Sequence, residues 1–304
     1  MKKVRFIICA VMALALLSCE KDPKGIQEYD PMESLSESVV WDFNGRYPEA
    51  TDITVIGGDK DNARISLIDK DGYENEVVYV DGEWAYSQKW LDVNDFLWDF
   101  PLPVRLAYAK TGITHETFYN NKRNSYVLEV QRAGFAQKQY EIACLGYYLD
   151  GDKLIENLAY HIVIAQDGTL LTCGHRYFGQ SIWLPDLSTA VDFVCNKYPG
   201  ASVIGATDDG ELHVYIRHEG LLKTVTFHGY STPEYIEWWG TEYALPMDTT
   251  LPAHVLKEIA DYEAKHPGEK WFELSMMENR EGFFYGLRFG TELEGGKFYA
   301  SVNE

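Results

Sequence analysis

The sequence predicts an α+β protein made of a repeated small unit, one helix packed on an antiparallel sheet of three or four strands. Three observations carry this reading. A self-similarity at a nearly constant offset runs through the chain. Apolar stripes of helical spacing alternate with short strand-like runs. The stripes end in Pro-containing breaks, whereas the runs are joined by Asp/Gly turns.

The offset can be read residue by residue. Val40, Phe43, Asn44, Tyr47, Pro48 and Ala50 answer Val191, Val194, Cys195, Tyr198, Pro199 and Ala201 across 151 positions. Ile56, Ile65, Gly72, Val77 and Trp90 answer Ile204, His213, Gly220, Val225 and Trp238 across 148, and Leu102-Pro103 answers Leu251-Pro252 across 149. The slips are small and fall where loops belong, which points to tandem duplication.

In chain order, a helix is expected over 36–47, stopped by Pro48. Gly57-Gly58 reads as loop. Strands follow at 63–68 and 74–80, reversing through Asp69-Lys70-Asp71-Gly72, where Gly accepts a positive φ. A short helix at 102–110 leads to strands at 125–131, 138–148 and 158–165, with an added hairpin around Gln166-Asp167-Gly168. In the second copy, Val191, Val194, Cys195 and Tyr198 stand at i, i+3, i+4 and i+7, one stripe of a helix over 188–198. Asp186 or Ser188 can cap it, and Pro199-Gly200 stops it. Strands at 212–217 and 223–228 are joined through His218-Glu219-Gly220. Near Leu251 the last helix opens, with Pro252 tolerated in a first turn. It continues through Val255, Ile259 and Tyr262 to His266-Pro267-Gly268, before strands at 271–276, 283–289 and 297–301.

Residues 1–18 read as an address. Lys2, Lys3 and Arg5 precede an apolar run from Phe6 to Leu17, the charged and apolar regions of a secretory signal. Leu16-Leu17-Ser18-Cys19 resembles the lipobox of bacterial lipoproteins, which makes Cys19 the expected lipid carrier. A polar segment over 19–35, with Pro23, Gly25 and Pro31, reads as a flexible tether. The remaining chain divides into domain pairs at 36–177 and 186–304. Glu20 and Asp22, so close to Cys19, resemble the export tags of outer-membrane lipoproteins. The expected place is therefore the cell envelope, as an outer-membrane lipoprotein facing either the periplasm or the cell surface.

A helix, then Lys197-Tyr198-Pro199-Gly200-Ala201, then strands with Asp/Gly turns, behind a lipobox and repeated, resembles the PepSY-like family of exported bacterial proteins. That family is described as resembling β-lactamase-inhibitor protein. The resemblance spans 36–304 and implies tandem antiparallel sheets with helices on one face, a non-enzymatic role, and no catalytic residue to carry over. Arg46-Tyr47-Pro48-Glu49-Ala50 departs from it, with Glu where Gly is usual, and the 102–110 helix ends in Lys110-Thr111-Gly112 without the motif.

Charge narrows the partners. With 27 basic against 47 acidic residues the chain carries -20, and -23 once the address is removed. Nucleic-acid affinity rests on Lys and Arg neutralising phosphates, so that class is set aside. Cys144, Cys173 and Cys195 remain in the exported body. Their odd number, without a CxxC spacing, excludes a disulfide framework or zinc knuckle, and burial as small hydrophobes is expected. No HExxH, GxSxG, P-loop or GxGxxG is present. Asp59-Lys60-Asp61-Asn62 lacks the Gly and Glu of a calcium loop and reads as a turn. His213 and His218, five apart, fall on opposite strand faces. Cys173 and His175 share a face but stand too far apart for a thiolate and base pair in a regular strand. No cofactor or metal is expected.

The aromatics are more informative. Tyr235, Trp238, Trp239 and Tyr243 form a dense cluster among 8 Trp and 21 Tyr, a composition suited to protein anchors and sugar platforms. Trp238, as the repeat partner of Trp90, is expected to close the core between helix and sheet. Asp248-Thr249-Thr250 fits a triplet that some Gram-negative anaerobes O-glycosylate. The expected partner is a protein or peptide. An inhibited periplasmic hydrolase (a β-lactamase or a protease) and a cell-surface glycan are the alternatives.

Overall fold

A computed structural model describes residues 31–92, 96–117, 126–150, 153–175, 187–208, 210–228, 236–267, 271–289 and 296–303. The address, Cys19, most of the tether and Tyr235 lie outside the described residues. The helices are α1 (Glu37–Arg46), the single turn α2 (Phe96–Asp99), α3 (Leu102–Lys110), α4 (Ser188–Lys197) and α5 (Ala253–Lys265). The strands of the first half are β1 (Thr51–Gly58), β2 (Ala63–Ile68), β3 (Glu74–Val80), β4 (Glu83–Trp90), β5 (Thr114–Thr117), β6 (Tyr126–Arg132), β7 (Gln139–Asp150), β8 (Lys153–Ala165) and β9 (Leu170–His175). Those of the second half are β10 (Ser202–Asp208), β11 (Leu212–His218), β12 (Leu221–His228), β13 (Glu237–Ala244), β14 (Trp271–Asn279), β15 (Gly282–Phe289) and β16 (Gly296–Ser301).

The class is α+β, with two antiparallel sheets. One is nine-stranded, in the order β1-β2-β3-β4-β6-β7-β8-β9 with β5 also pairing β7, and the other is seven-stranded, running β10 to β16 in sequence. Each longer helix buries one stripe. Val39 and Phe43 of α1 pack on Ile65, Leu67, Val77 and Tyr79. Val104, Ala107 and Tyr108 of α3 pack on Val127, Tyr140, Ile142 and Ile162. Ala190, Val191 and Val194 of α4 cover Val214, Val225 and Phe227, and Val255 and Ile259 of α5 cover Leu274, Leu287 and Phe289. Turn chemistry sets the hairpins. Asp81 and Gly82 between β3 and β4, and Glu219 and Gly220 between β11 and β12, are two-residue reversals with φ of 52°, 80°, 54° and 79°. Both are therefore type I′, whose twist matches that of the strands. Asp59 and Asp69 accept backbone N–H groups within their own turns.

Several expectations need correction. Gly57 and Gly58 end strand β1 instead of forming a loop. Strands β4, β5, β10 and β13 add to those expected. Leu187, not Asp186 or Ser188, takes the N-cap of α4, and no side chain caps it. Register also revises the repeat. Val77 faces Ile65 across β2 and β3, whereas Val225 faces Val214, so Ile65 answers Val214 and not His213. Tyr79 faces Trp84 and Phe227 faces Trp238, so the counterpart of Trp238 is Trp84 and not Trp90.

The sheets meet on their helix-free sides. Val163, Ala165 and Leu171 from β8 and β9 form one cluster with Ile204 and Tyr215 from β10 and β11. Gln139, 1% exposed, straps the joint. Its Oε1 accepts the Ala206 N–H at 2.9 Å, while its Nε2 donates to Ala206 O at 3.3 Å and to Glu141 Oε1 at 2.7 Å. Ala136 donates to Val203 O at 2.7 Å, and Arg217 pairs with Asp167 at 2.8 Å.

Asp42, Asp69 and Asp167 stay ionised to lower pH than usual. Burial pushes each carboxyl upward, but hydrogen bonds outweigh it: from Arg46 and Tyr79 at Asp42, from Tyr73, Lys89 and Asn75 at Asp69, and from Thr169 and Arg217 at Asp167. A carboxyl whose folded value lies below its unfolded one stabilises the fold fully above the unfolded value, and loses that contribution as pH falls through the folded value. Thermal midpoints are therefore expected to hold down to about pH 5 and to decline below the usual 3.8. Asp69→Asn should flatten part of that acid limb, and an unchanged limb would refute the assignment.

Candidate functional site

The site begins with a bulge. From Lys223 facing Tyr243 to Thr226 facing Gly240 the register of β12 and β13 is regular, and it then jumps to Phe227 facing Trp238. Trp239 is the extra residue. Bulges re-aim side chains in this way, and Trp239 emerges 44% exposed, while Trp238, Thr241 and Tyr243 face the helices. A Cβ at Gly240 would displace the Met277 methyl and press on the Glu278 carbonyl at 3.0 Å.

Trp238 is half-buried against the α4 core. Lys197 Nζ sits 4.0 Å above its ring and pairs with Glu278 at 2.7 Å, and the indole N–H donates to Thr241 Oγ1 at 3.1 Å. Tyr198 completes this web. Its hydroxyl donates to Glu278 Oε2 at 2.9 Å and lies 2.6 Å from Thr241 Oγ1. Burial, and then the Glu278 charge, push this phenol well above its ordinary range, so it remains a donor. The Lys-Tyr-Pro-Gly-Ala motif thus has a mechanical role. Tyr198 ends α4 through its N–H to Val194 O, Gly200 turns at φ 83°, and the Tyr ring is laid across the strands. In the first sheet Arg46 lies 4.1 Å above Trp84 in the same manner, and Tyr47 bonds Ser87. Tyr243 stands apart from Trp239, 5.2 Å from Lys223, its phenol raised by burial and then by the charge of Glu278.

Trp239 lies in a shallow cleft of about 260 Å³ lined with it by His228, Glu237, Trp238, Asn279, Arg280 and Glu281. Its ring stacks on His228, with centroids 5.7 Å apart and planes 19° apart, and His228 pairs with Glu211 at 2.7 Å. Arg280 and Glu237 form an ion pair at 2.5 Å beside it. Asn279 Oδ1 accepts the N–H groups of Glu281 and Gly282, fixing the turn that presents Arg280. The cleft therefore unites Trp238 and Trp239, leaves out Tyr243, and adds charged neighbours that the sequence did not single out.

Other candidates resolve as follows. Cys173 and Cys195 are free and exposed, which overturns the expectation of burial for both: Cys173 lies on β9 at the end of the first sheet, and Cys195 lies off the buried Ala190, Val191 and Val194 stripe of α4. Desolvation nevertheless raises the Cys173 thiol above its usual value, which disfavours the reactive thiolate. The side chains of Cys144 and His175 lie outside the described residues. His213 bonds Thr226 on the helix-free side, whereas His218 lies against Tyr198 on the other. Among the described residues no three His, Cys, Asp or Glu side chains converge as metal ligands. Two exposed tryptophans were missed by the sequence reading, Trp41 and Trp98, at 80% and 79% exposure. Only their absence from the helical stripes signalled them.

No protein-family model matches the chain, and no curated protein is similar to it. Solved structures similar to it include a BLIP-like protein from Bacteroides fragilis, at 17% identity and TM-score 0.36, over 52% of this chain and 96% of that one. Another is described as a putative periplasmic protein from Bacteroides eggerthii, at 20% identity and TM-score 0.31, over 46% of this chain and 88% of that one. A third is a DUF2874 family protein from Bacteroides ovatus, at 17% identity and TM-score 0.32, over 47% of this chain and 89% of that one.

Proposed function

We propose that the chain is a non-enzymatic, lipid-anchored envelope protein of tandem PepSY-like, β-lactamase-inhibitor-protein-like units, which binds a protein or peptide partner through the Trp239 cleft. The supporting observation is Trp239 itself, a rigidly stacked and exposed aromatic beside the Arg280–Glu237 ion pair. Aromatic anchors with polar rims dominate protein interfaces. Trp239→Ala is expected to weaken partner binding by about 2 kcal/mol or more, roughly thirtyfold, while leaving stability unchanged. The wild-type and variant proteins, immobilised side by side over solubilised envelope, supply the test. Equal recovery of every bound protein by both would sink the assignment. Titration into β-lactamase and metalloprotease assays separates the inhibitor form of the reading, because a stoichiometric inhibitor lowers turnover at near-equimolar dose.

The same cleft supports a second reading as a glycan platform, since Trp239 offers a flat face beside the polar groups of Glu237 and Glu281. A glycan array probed with both proteins distinguishes the two readings. For the anchor, Cys19→Ala is expected to abolish incorporation of labelled fatty acid and to release the protein from membranes.

A further inference from the structure

The sheet edges differ in how they end. Along β1 the pairing with β2 breaks twice, between Thr51 and Thr54 and between Val55 and Gly57, and Asp52 stands at φ 51°. Irregularities of this kind twist an edge away from a newcomer. At β10 the outward groups are occupied, Val203 O by Ala136 and both backbone groups of Ala206 by the Gln139 amide. β9 lies against β10 at the junction. Among the described residues β16 has no slip, and the only outward group of it shown to be occupied is the Ser301 carbonyl, by His254 Nε2. Its pairing with β15 runs without a slip from Phe284 facing Ser301 to Phe289 facing Gly296.

The direction of its hydrogen bonds follows from one contact. Val302 donates to Phe283 O at 2.9 Å, so in an antiparallel ladder Ala300 and Phe298 also face inward. Lys297, Tyr299 and Ser301 then direct their N–H and C=O groups away from the sheet. The Ser301 carbonyl confirms this direction, because it accepts from His254 Nε2 at 2.9 Å on the far side. Tyr299 is 37% exposed on that edge.

We propose that β16 is a pairing edge and that its occupant is the β16 strand of a second copy, joined antiparallel about a twofold axis at Tyr299. The strand is self-complementary in that register. Tyr299 meets its own copy, Lys297 meets Ser301, and Phe298 meets Ala300. No like charges oppose each other, an arrangement that would destabilise a pair. Its one charge, Lys297, is already paired with Glu242. Tyr299 would exchange both N–H···O bonds with its copy, and the Lys297 carbonyl would accept the N–H of the partner's Ser301. The Ser301 carbonyl, which already accepts from His254 Nε2, would have to take the N–H of the partner's Lys297 on its second lone pair. The two seven-stranded sheets would become one continuous sheet.

Sedimentation equilibrium of the mature-length chain without lipid is the test, over micromolar to millimolar concentrations. The expected result is twice the mass of one chain at the upper end. Tyr299→Pro deletes only an outward N–H and should return the protein to one-chain mass with unchanged circular dichroism. Tyr299→Lys sets two like charges face to face and should do the same without touching the backbone. Hydrogen-bonded antiparallel partners have Cα atoms about 5.5 Å apart, within disulfide reach. Tyr299→Cys should therefore cross-link to its own copy on mild oxidation, and Lys297→Cys should not, both measured above the wild-type baseline set by its own cysteines. One-chain mass throughout the range, or equal cross-linking by the two cysteine variants, overturns the proposal. So does a one-chain species that instead takes up a different polypeptide in a manner abolished by Tyr299→Pro. None of these outcomes bears on Trp239, whose variant keeps β16 intact.

Discussion

Phe227→Ala is expected to cost about 3–5 kcal/mol of unfolding free energy, the range for removing a fully buried aromatic. Phe227 is 0% exposed, it receives the edge of Phe193 at 5.4 Å and 84°, and it belongs to the cluster joining α4 to β11 and β12. Nothing nearby can refill the space cheaply. Val194, Val214 and Val225 are β-branched or anchored in helix and strand backbone, and the bulge that begins beside Phe227 fixes Trp238. Phe227→Leu should lose less than about 1.5 kcal/mol, because it retains most of the volume. Denaturant unfolding of both variants decides the matter. A loss below about 1 kcal/mol for the alanine variant would mean that this cluster does not support the second sheet.

Gln139→Ala should be nearly as damaging, for a different reason. Truncation leaves the Ala206 N–H and C=O and the Glu141 carboxylate without the amide that now satisfies them. Each buried group so stranded costs about 1–3 kcal/mol, and a total of about 2–4 kcal/mol is expected after partial relaxation. Gln139→Met restores volume but not hydrogen bonding, so it should recover little. Amide exchange localises the effect: Ala206 should lose protection far more than Val214, which lies within the sheet. Equal protection at Ala206 in wild type and Gln139→Ala would remove Gln139 from the joint.

Local rules made part of this architecture legible. The 63–68, 74–80 and 102–110 elements have in the structure the bounds read from the sequence, because Asp69-Lys70-Asp71-Gly72 separates the two strands and Pro101 and Thr111-Gly112 bracket the helix. Strands that break alternation were missed. β1 is an edge with little buried surface and ends in two glycines, β10 is buried along nearly its whole length, and β13 is interrupted by its bulge. A constant offset also cannot see a changed loop. β3 and β4 are joined by two residues, whereas β12 and β13 are separated by the longer segment 229–236, which is why Trp90 was matched to Trp238 in place of Trp84. For the site, composition pointed to Trp239, but its separation from Tyr243 depends on a single extra residue in one strand. The reach of Gln139 to Ala206 spans 67 positions, and no local pattern encodes it.

The bulge has a counterpart. Between Tyr79 facing Trp84 and Val78 facing Tyr86, Ala85 is the extra residue, as Trp239 is in the second sheet. Ala85 opens onto Arg132, Ala133, Leu187 and Ser188, where the start of α4 comes close, so a large ring there would be obstructed by the neighbouring half. Among the described residues Trp239 meets no such neighbour. A residue outside the ladder can change without disturbing the strands around it, and only one of these two positions is free to do so. On the function proposed above, recognition would rest on Trp239, and Ala85 would serve as a spacer.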